Sequence, residues 1–147
     1  MKLTTFSDYT LRVLMYLAVE RERLATIPEI ANAYGISQNH LMKVVHHLAR
    51  TGVIESLRGK GGGIRLRHAP SEIRLGQVVS ASEGNSAIVE CLSDEPCGCK
   101  IRPACRLAPI LVRAFESLYQ TLDEYSLADL VDKPDQSNQL RLLLKQA

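Results

Sequence analysis

Residues 59–63 read GKGGG, four glycines and one lysine in five positions. Such a run costs too much backbone entropy inside a helix or a sheet, so it forces a turn. β-competent runs stand on both sides, at residues 53–57 and 64–67, and the whole stretch predicts a β-hairpin. Glycine lets a backbone pass close to a phosphate, while Arg58, Lys60, Arg65 and Arg67 surround the turn with cations.

Two helical patterns precede this hairpin. IPEIANAYGIS carries Ile27, Ile30, Ala31 and Tyr34, starts near Pro28 and stops at Gly35. SQNHLMKVVHHLARTG turns Leu41, Val44, Val45 and Leu48 inward, with Ser37 as N-cap and Gly52 as stop. Short helices joined by a glycine turn predict a helix-turn-helix, and the hairpin after them makes it a winged helix. An earlier helix, capped by Ser7 and built on Leu11, Val13, Leu14, Leu17 and Ala18, runs to about Glu20. After the wing, SEIRLGQVVSASEG predicts a short helix that closes the head through Ile73, Leu75, Val78 and Val79.

This order of parts matches one known way of docking on DNA. Ser37, Gln38, Asn39, His40 and Lys43 then stand at the N-terminal end of the recognition helix, where side chains meet base edges in the major groove. Arg50, Arg58, Lys60, Gly61, Gly62 and Arg65 face the phosphate backbone. A basic amphipathic helix alone, or a glycine hairpin alone, is as well explained as a solvated surface. Their succession at this spacing favours double-stranded DNA. Charge agrees: residues 1–70 hold 10 Lys and Arg against 5 Asp and Glu, whereas residues 71–147 hold 8 against 11.

From Pro103 onward, Leu107, Ile110, Leu111, Ala114, Phe115, Leu118 and Leu122 recur at helical spacing for more than twenty residues. A helix of that length is roughly 30 Å long, too long for a small head to cover. Its apolar face predicts a homodimer, paired with the same helix of a second copy. The end of the chain reads as a short helix around residues 127–131 and a loosely packed tail. The expected fold is therefore mainly α. Residues 1–80 form the winged head with its small β-hairpin, 81–106 a cysteine-containing loop, and 107–147 the dimerisation helix and tail.

All four cysteines, Cys91, Cys97, Cys99 and Cys105, fall within fifteen residues. Four in 147 is far below the density of disulfide-stapled secreted domains, and no apolar leader follows MKLTTFSDYT. The expected setting is a reducing cytoplasm, and no run approaches the roughly 18 apolar residues of a membrane span. Clustered thiols in such a setting favour a metal. The spacing lacks the paired arms of zinc sites and differs from ferredoxin spacing, so it leaves the identity of the metal open. Cys97-Gly98-Cys99, with no nearby histidine as base, is a weak signal for a thiol enzyme, and no enzyme is expected.

Over nearly its whole length the chain resembles the bacterial winged-helix iron-sulfur regulators, and among them the nitric-oxide-responsive repressors. The likeness is carried by MKLTTFSDYTLRVLMYLA, ISQNHLMKVVHHLARTGVIESLRGKGGGIRL, IVEC with CKIRPACRL, and YSLADLV. It implies an iron-sulfur cluster, 4Fe-4S rather than 2Fe-2S, held by Cys91, Cys99 and Cys105. Related regulators of cluster biogenesis add a nearby histidine, but this chain has none beyond His68. The resemblance instead implies Asp8 of the other subunit as fourth ligand, with Cys97 as the competing donor. By itself Asp8 reads as a first-turn carboxylate favoured by the helix dipole. The implied activity is a repressor that releases its operator when nitric oxide reacts at the iron. A regulator of iron or cluster supply is the alternative within the same architecture.

Overall fold

A computed structural model of the chain describes residues 2–84, 88–93 and 96–145. In chain order it contains α1 (Thr5–Val19), α2 (Ile27–Tyr34), α3 (Gln38–Arg50), β1 (Ile54–Leu57), β2 (Gly63–Leu66), α4 (Leu75–Glu83), α5 (Leu107–Asp123) and α6 (Pro134–Lys145). It is mainly helical, with one antiparallel hairpin. Of the expected 81–106 loop, residues 85–87 and 94–95 lie outside the described residues.

The core explains the order of the helices. Leu14 and Leu17 of α1, Ile30 of α2, Leu41 and Leu48 of α3 and Ile54 of β1 are all fully buried, and Leu127 joins them from far down the chain. Burying a side chain of this size stabilises the fold by about 1.5–3 kcal/mol relative to leaving it in water.

Helix α1 starts earlier than Ser7. Thr4 is the N-cap, its hydroxyl accepting the Ser7 N–H at 3.1 Å, and its own N–H donates to Glu83 of α4 at 2.8 Å. Ser7 is fully buried, and the Ser82 hydroxyl of α4 donates to it at 2.9 Å. A partner 75 residues away thus takes the hydroxyl expected to cap the helix.

Helix α2 opens with a capping box, Thr26 with Glu29, and closes at Gly35. Ser37 caps α3 as expected, accepting the His40 N–H at 3.3 Å. The wing pairs Ile54 with Leu66 and Leu57 with Gly63, one residue inside the expected run at the start of β1 and one earlier on β2. Its outer edge is also tied down: Ala25 and Ile64 exchange hydrogen bonds of 3.0 and 2.8 Å. That bridge anchors the wing to the loop between α1 and α2.

Helices α4 and α5 cross in backbone contact. A Cβ on Gly76 would lie 2.3 Å from the Tyr119 carbonyl, so only glycine fits there. Asp123, at the end of α5, accepts the Gln77 N–H near the start of α4 at 2.8 Å. Leu75 N–H then donates to Tyr125 O at 3.0 Å and Leu127 N–H to Ile73 O at 2.8 Å.

Helix α5 has 17 residues, about 26 Å of rise, and is shorter than expected because Pro103 belongs to a separate 3-10 turn, Arg102–Ala104. The tail differs more. Residues 134–145 form α6, whose Leu140 and Leu144 pack on the core while the Arg141 guanidinium donates to the Val19 carbonyl at the end of α1 at 2.8 Å. A cation on the last carbonyls of a helix is favourable both as a hydrogen bond and towards the dipole.

Candidate nucleic-acid interface and cysteine loop

The outer face of α3 is built by elimination. Leu41, Val44, Val45 and Leu48 point into the core, which leaves Ser37, Gln38, Asn39, His40, Lys43 and Arg50 exposed along one side. The Ser37 cap fixes the first turn, so Gln38, Asn39 and His40 project from its N-terminal end. In the wing, Arg58, Lys60, Gly61 and Arg65 are exposed and Gly62 is half-buried. A Cβ on Gly62 would sit 2.3 Å from the Leu57 carbonyl, so the loop is as tight as glycine permits. Arg65 Nε donates to Glu55 across the hairpin at 2.5 Å. Among the described residues, Arg58 and Lys60 are in no salt bridge and remain available to an anionic partner.

The first turns of α1 rest on this helix. The Phe6 and His47 rings meet edge to face, with centroids 5.4 Å apart, and Tyr9 lies 6.1 Å from His40 in a tilted pair. Burial, with Arg50 and His46 close by, holds the His47 imidazole below the usual histidine range. Sequence reading gave no role to Phe6, Tyr9 or His47. The available signal was position, since Phe6 and Tyr9 flank Asp8.

Asp8 sits in the first turn of α1 with its side chain 48 % exposed. Both carboxylate oxygens are engaged by Arg12, at 3.1 Å from Nε and 3.0 Å from the second nitrogen. Arg12 in turn lies over the Tyr34 ring at 5.8 Å, at the end of α2. An exposed pair of this kind holds at most about 1 kcal/mol, so the carboxylate can be drawn away by a stronger partner.

The four thiols occupy the connection from α4 to α5, each half-buried. Cys91 lies in a 3-10 turn, Glu90–Leu92, while Cys99 and Cys105 flank the turn Arg102–Ala104 through the bonds Arg102 N–H to Cys99 O, 3.2 Å, and Cys105 N–H to Arg102 O, 3.3 Å. Cys97 Sγ accepts the Cys99 N–H at 3.3 Å. Among the described residues, no three His, Cys, Asp or Glu side chains are gathered around one point. The donor set fits an iron-sulfur cluster in kind: soft thiols share one loop, and no histidine stands in it.

The pattern of the Rrf2 family, described as an iron-dependent transcriptional regulator, matches residues 3–133. The chain belongs to the Rrf2 family. Among Rrf2 relatives, the HTH-type transcriptional regulator NsrR of Shouchella clausii is 43% identical over 146 residues, covering 99% of this chain and 96% of that one. NsrR of Bacillus subtilis is 47% identical over 132 residues, covering 89% and 90%. Within the Rrf2 family, the chain therefore stands with the NsrR-type transcriptional regulators.

Among solved structures, CymR, the global cysteine regulator of B. subtilis, superposes with a TM-score of 0.68 at 29% identity over 88% of this chain and 95% of that one. IscR of T. potens, at 23% identity, shares the fold with a TM-score of 0.66 over 88% and 85%. Among the described residues, no helix is long and apolar enough to cross a membrane.

Proposed function

We infer that the chain is a homodimeric repressor that binds double-stranded operator DNA and releases it in response to nitric oxide. Cys91, Cys99 and Cys105 would hold an iron-sulfur cluster, 4Fe-4S rather than 2Fe-2S, with Asp8 of a second copy as fourth ligand. When bound, the cluster supplies iron that a small diatomic molecule can reach, because an oxygen donor is a weaker partner for iron than a thiolate.

The observation that carries the reading is the placement of Asp8. It lies between Phe6 and Tyr9, the two residues whose rings touch His47 and His40 of α3. Drawing Asp8 outward, or letting it fall back on Arg12, moves the first turns of α1 and with them the seat of the recognition helix. Gln38, Asn39, His40 and Lys43 then present a different face to the major groove, and two half-sites cannot be met together. A shift from near-saturated to largely free operator needs only about 5 kcal/mol of differential affinity, within reach of one lost ligand and a moved helix.

The description of the family as iron-dependent favours one second reading, a regulator whose operator binding follows iron supply. An anaerobic titration of cluster-loaded protein with nitric oxide, following cluster absorbance and operator binding in one sample, separates the two. Joint loss of both signals at few equivalents, with altered cluster behaviour in Asp8→Ala, supports nitric-oxide sensing through Asp8. Operator affinity unmoved by nitric oxide and tracking iron content alone would establish the second reading.

A further inference from the structure

Cys97 has no part in the proposed Cys91, Cys99 and Cys105 set. Its sulfur nevertheless turns back on the chain and accepts the Cys99 N–H at 3.3 Å, so the side chain already lies along Cys99. Between them is Gly98, with nothing within 4 Å of the place where a Cβ would stand. Fully extended, two residues span at most roughly 7 Å, and a modest bend brings the α-carbons into the disulfide range of about 4.4–6.8 Å. Glycine takes that bend at the least steric cost. Both thiols are half-buried, within reach of a small oxidant.

We propose that Cys97 and Cys99 form a reversible disulfide in the cluster-free protein, and that this bond withdraws Cys99 from cluster assembly until a thiol reduces it. The oxidant is hydrogen peroxide. One sulfur attacks its O–O bond, giving a sulfenic acid and one water; the second sulfur displaces the hydroxyl, giving the S–S bond and a second water. Two electrons leave the sulfurs and both thiol protons end in water, so the step balances. A bond closing so small a ring is strained and easily reduced, which suits a lock that must open again. Joining Cys91 to Cys105 would close a loop with thirteen residues between the cysteines, against one between Cys97 and Cys99, at a greater entropic cost.

The consequence for assembly rests on the reading of Cys99 as a cluster donor, and the test separates the two. Full-length protein, freed of iron by a chelator under reductant and desalted anaerobically, is treated with one equivalent of hydrogen peroxide, alkylated, and cleaved before Asp94 and after Lys100. The peptide 94–100, whose only cysteines are Cys97 and Cys99, is expected two hydrogens light and unalkylated. Cluster uptake from a preloaded carrier protein in thiol-free buffer is expected to slow roughly tenfold or more, with recovery on adding dithiothreitol. Peroxide-treated Cys97→Ser is expected to load as fast as its untreated form. A fully alkylated 94–100 peptide, or a bond joining Cys91 to Cys105 instead, would overturn the disulfide. A disulfide at 94–100 with uptake unchanged would keep the bond and remove Cys99 from the donor set.

Discussion

Glu29 serves three neighbours at once. Tyr16 donates its hydroxyl at 2.6 Å, the Arg23 guanidinium pairs with the same oxygen, and the Thr26 N–H donates to the other at 3.3 Å. Arg23 above all holds the Glu29 carboxyl at about 2, while burial first, and then Glu29, pushes the Tyr16 hydroxyl to about 12. Because Glu29 binds its proton less readily when folded, the unfolded chain takes up more protons in acid. The stability it contributes is complete above its ordinary value of 4.5 and drains away as pH falls towards 2. Glu29→Gln should therefore flatten the fall of Tm with acidification over that window; an unchanged slope would show the carboxylate to be idle.

Gly62 belongs to the same scale. Gly62→Ala drives a methyl against the Leu57 carbonyl, and the wing tip must open at a cost of about 1–3 kcal/mol. Operator affinity in a gel-shift titration should fall about tenfold, with the helical circular dichroism unchanged.

At the scale of elements, the joint between α4 and α5 matters most. Arg74, the N-cap of α4, makes no side-chain cap bond, and Asp123 supplies the missing acceptor from the far end of another helix. Asp123→Ala should lower stability by about 1 kcal/mol, read as a lower urea midpoint at constant slope. The same joint explains the layout of the chain. With Gly76 against Tyr119 and Leu127 plugged into the core, the C-terminal end of α5 is held to the head. Among the described residues, its N-terminal end, which follows Cys105, carries no such ties.

Across the whole molecule, that asymmetry leaves an apolar face uncovered. Leu107 is 58 % and Ile110 60 % exposed, and no residue of α5 is fully buried. In the proposed dimer this face meets its counterpart, and each cysteine loop is brought towards the opposite α1. Ile110→Glu should yield monomers in sedimentation velocity and weaken operator binding by at least tenfold, since one head reads one half-site. Dimers that persist in Ile110→Glu would place the contact elsewhere.

The parts dictated by neighbours along the chain were legible in it. The Ser37 cap, the Gly35 stop, the inward set Leu41, Val44, Val45 and Leu48, and the glycine turn of the wing depend on residues within a few positions, where period and propensity act directly. Exposure of Gln38, Asn39, His40 and Lys43 follows from the same period once the inward set is known.

Long-range pairings were not legible. Thr4 replaced Ser7 as cap because Ser82 and Glu83 lie against it across 75 or more residues. The supposed tail became α6 because Arg141 found the free carbonyl of Val19, 122 positions away, and Leu140 and Leu144 found the core. Asp8 was conspicuous as a carboxylate in the sequence, and its pair with Arg12 four residues on is local to α1, but its place beside two rings that touch α3 came only from packing. Caps, turns and faces answer to local sterics and hydrogen bonding, whereas these contacts exist only after the core has brought distant segments together.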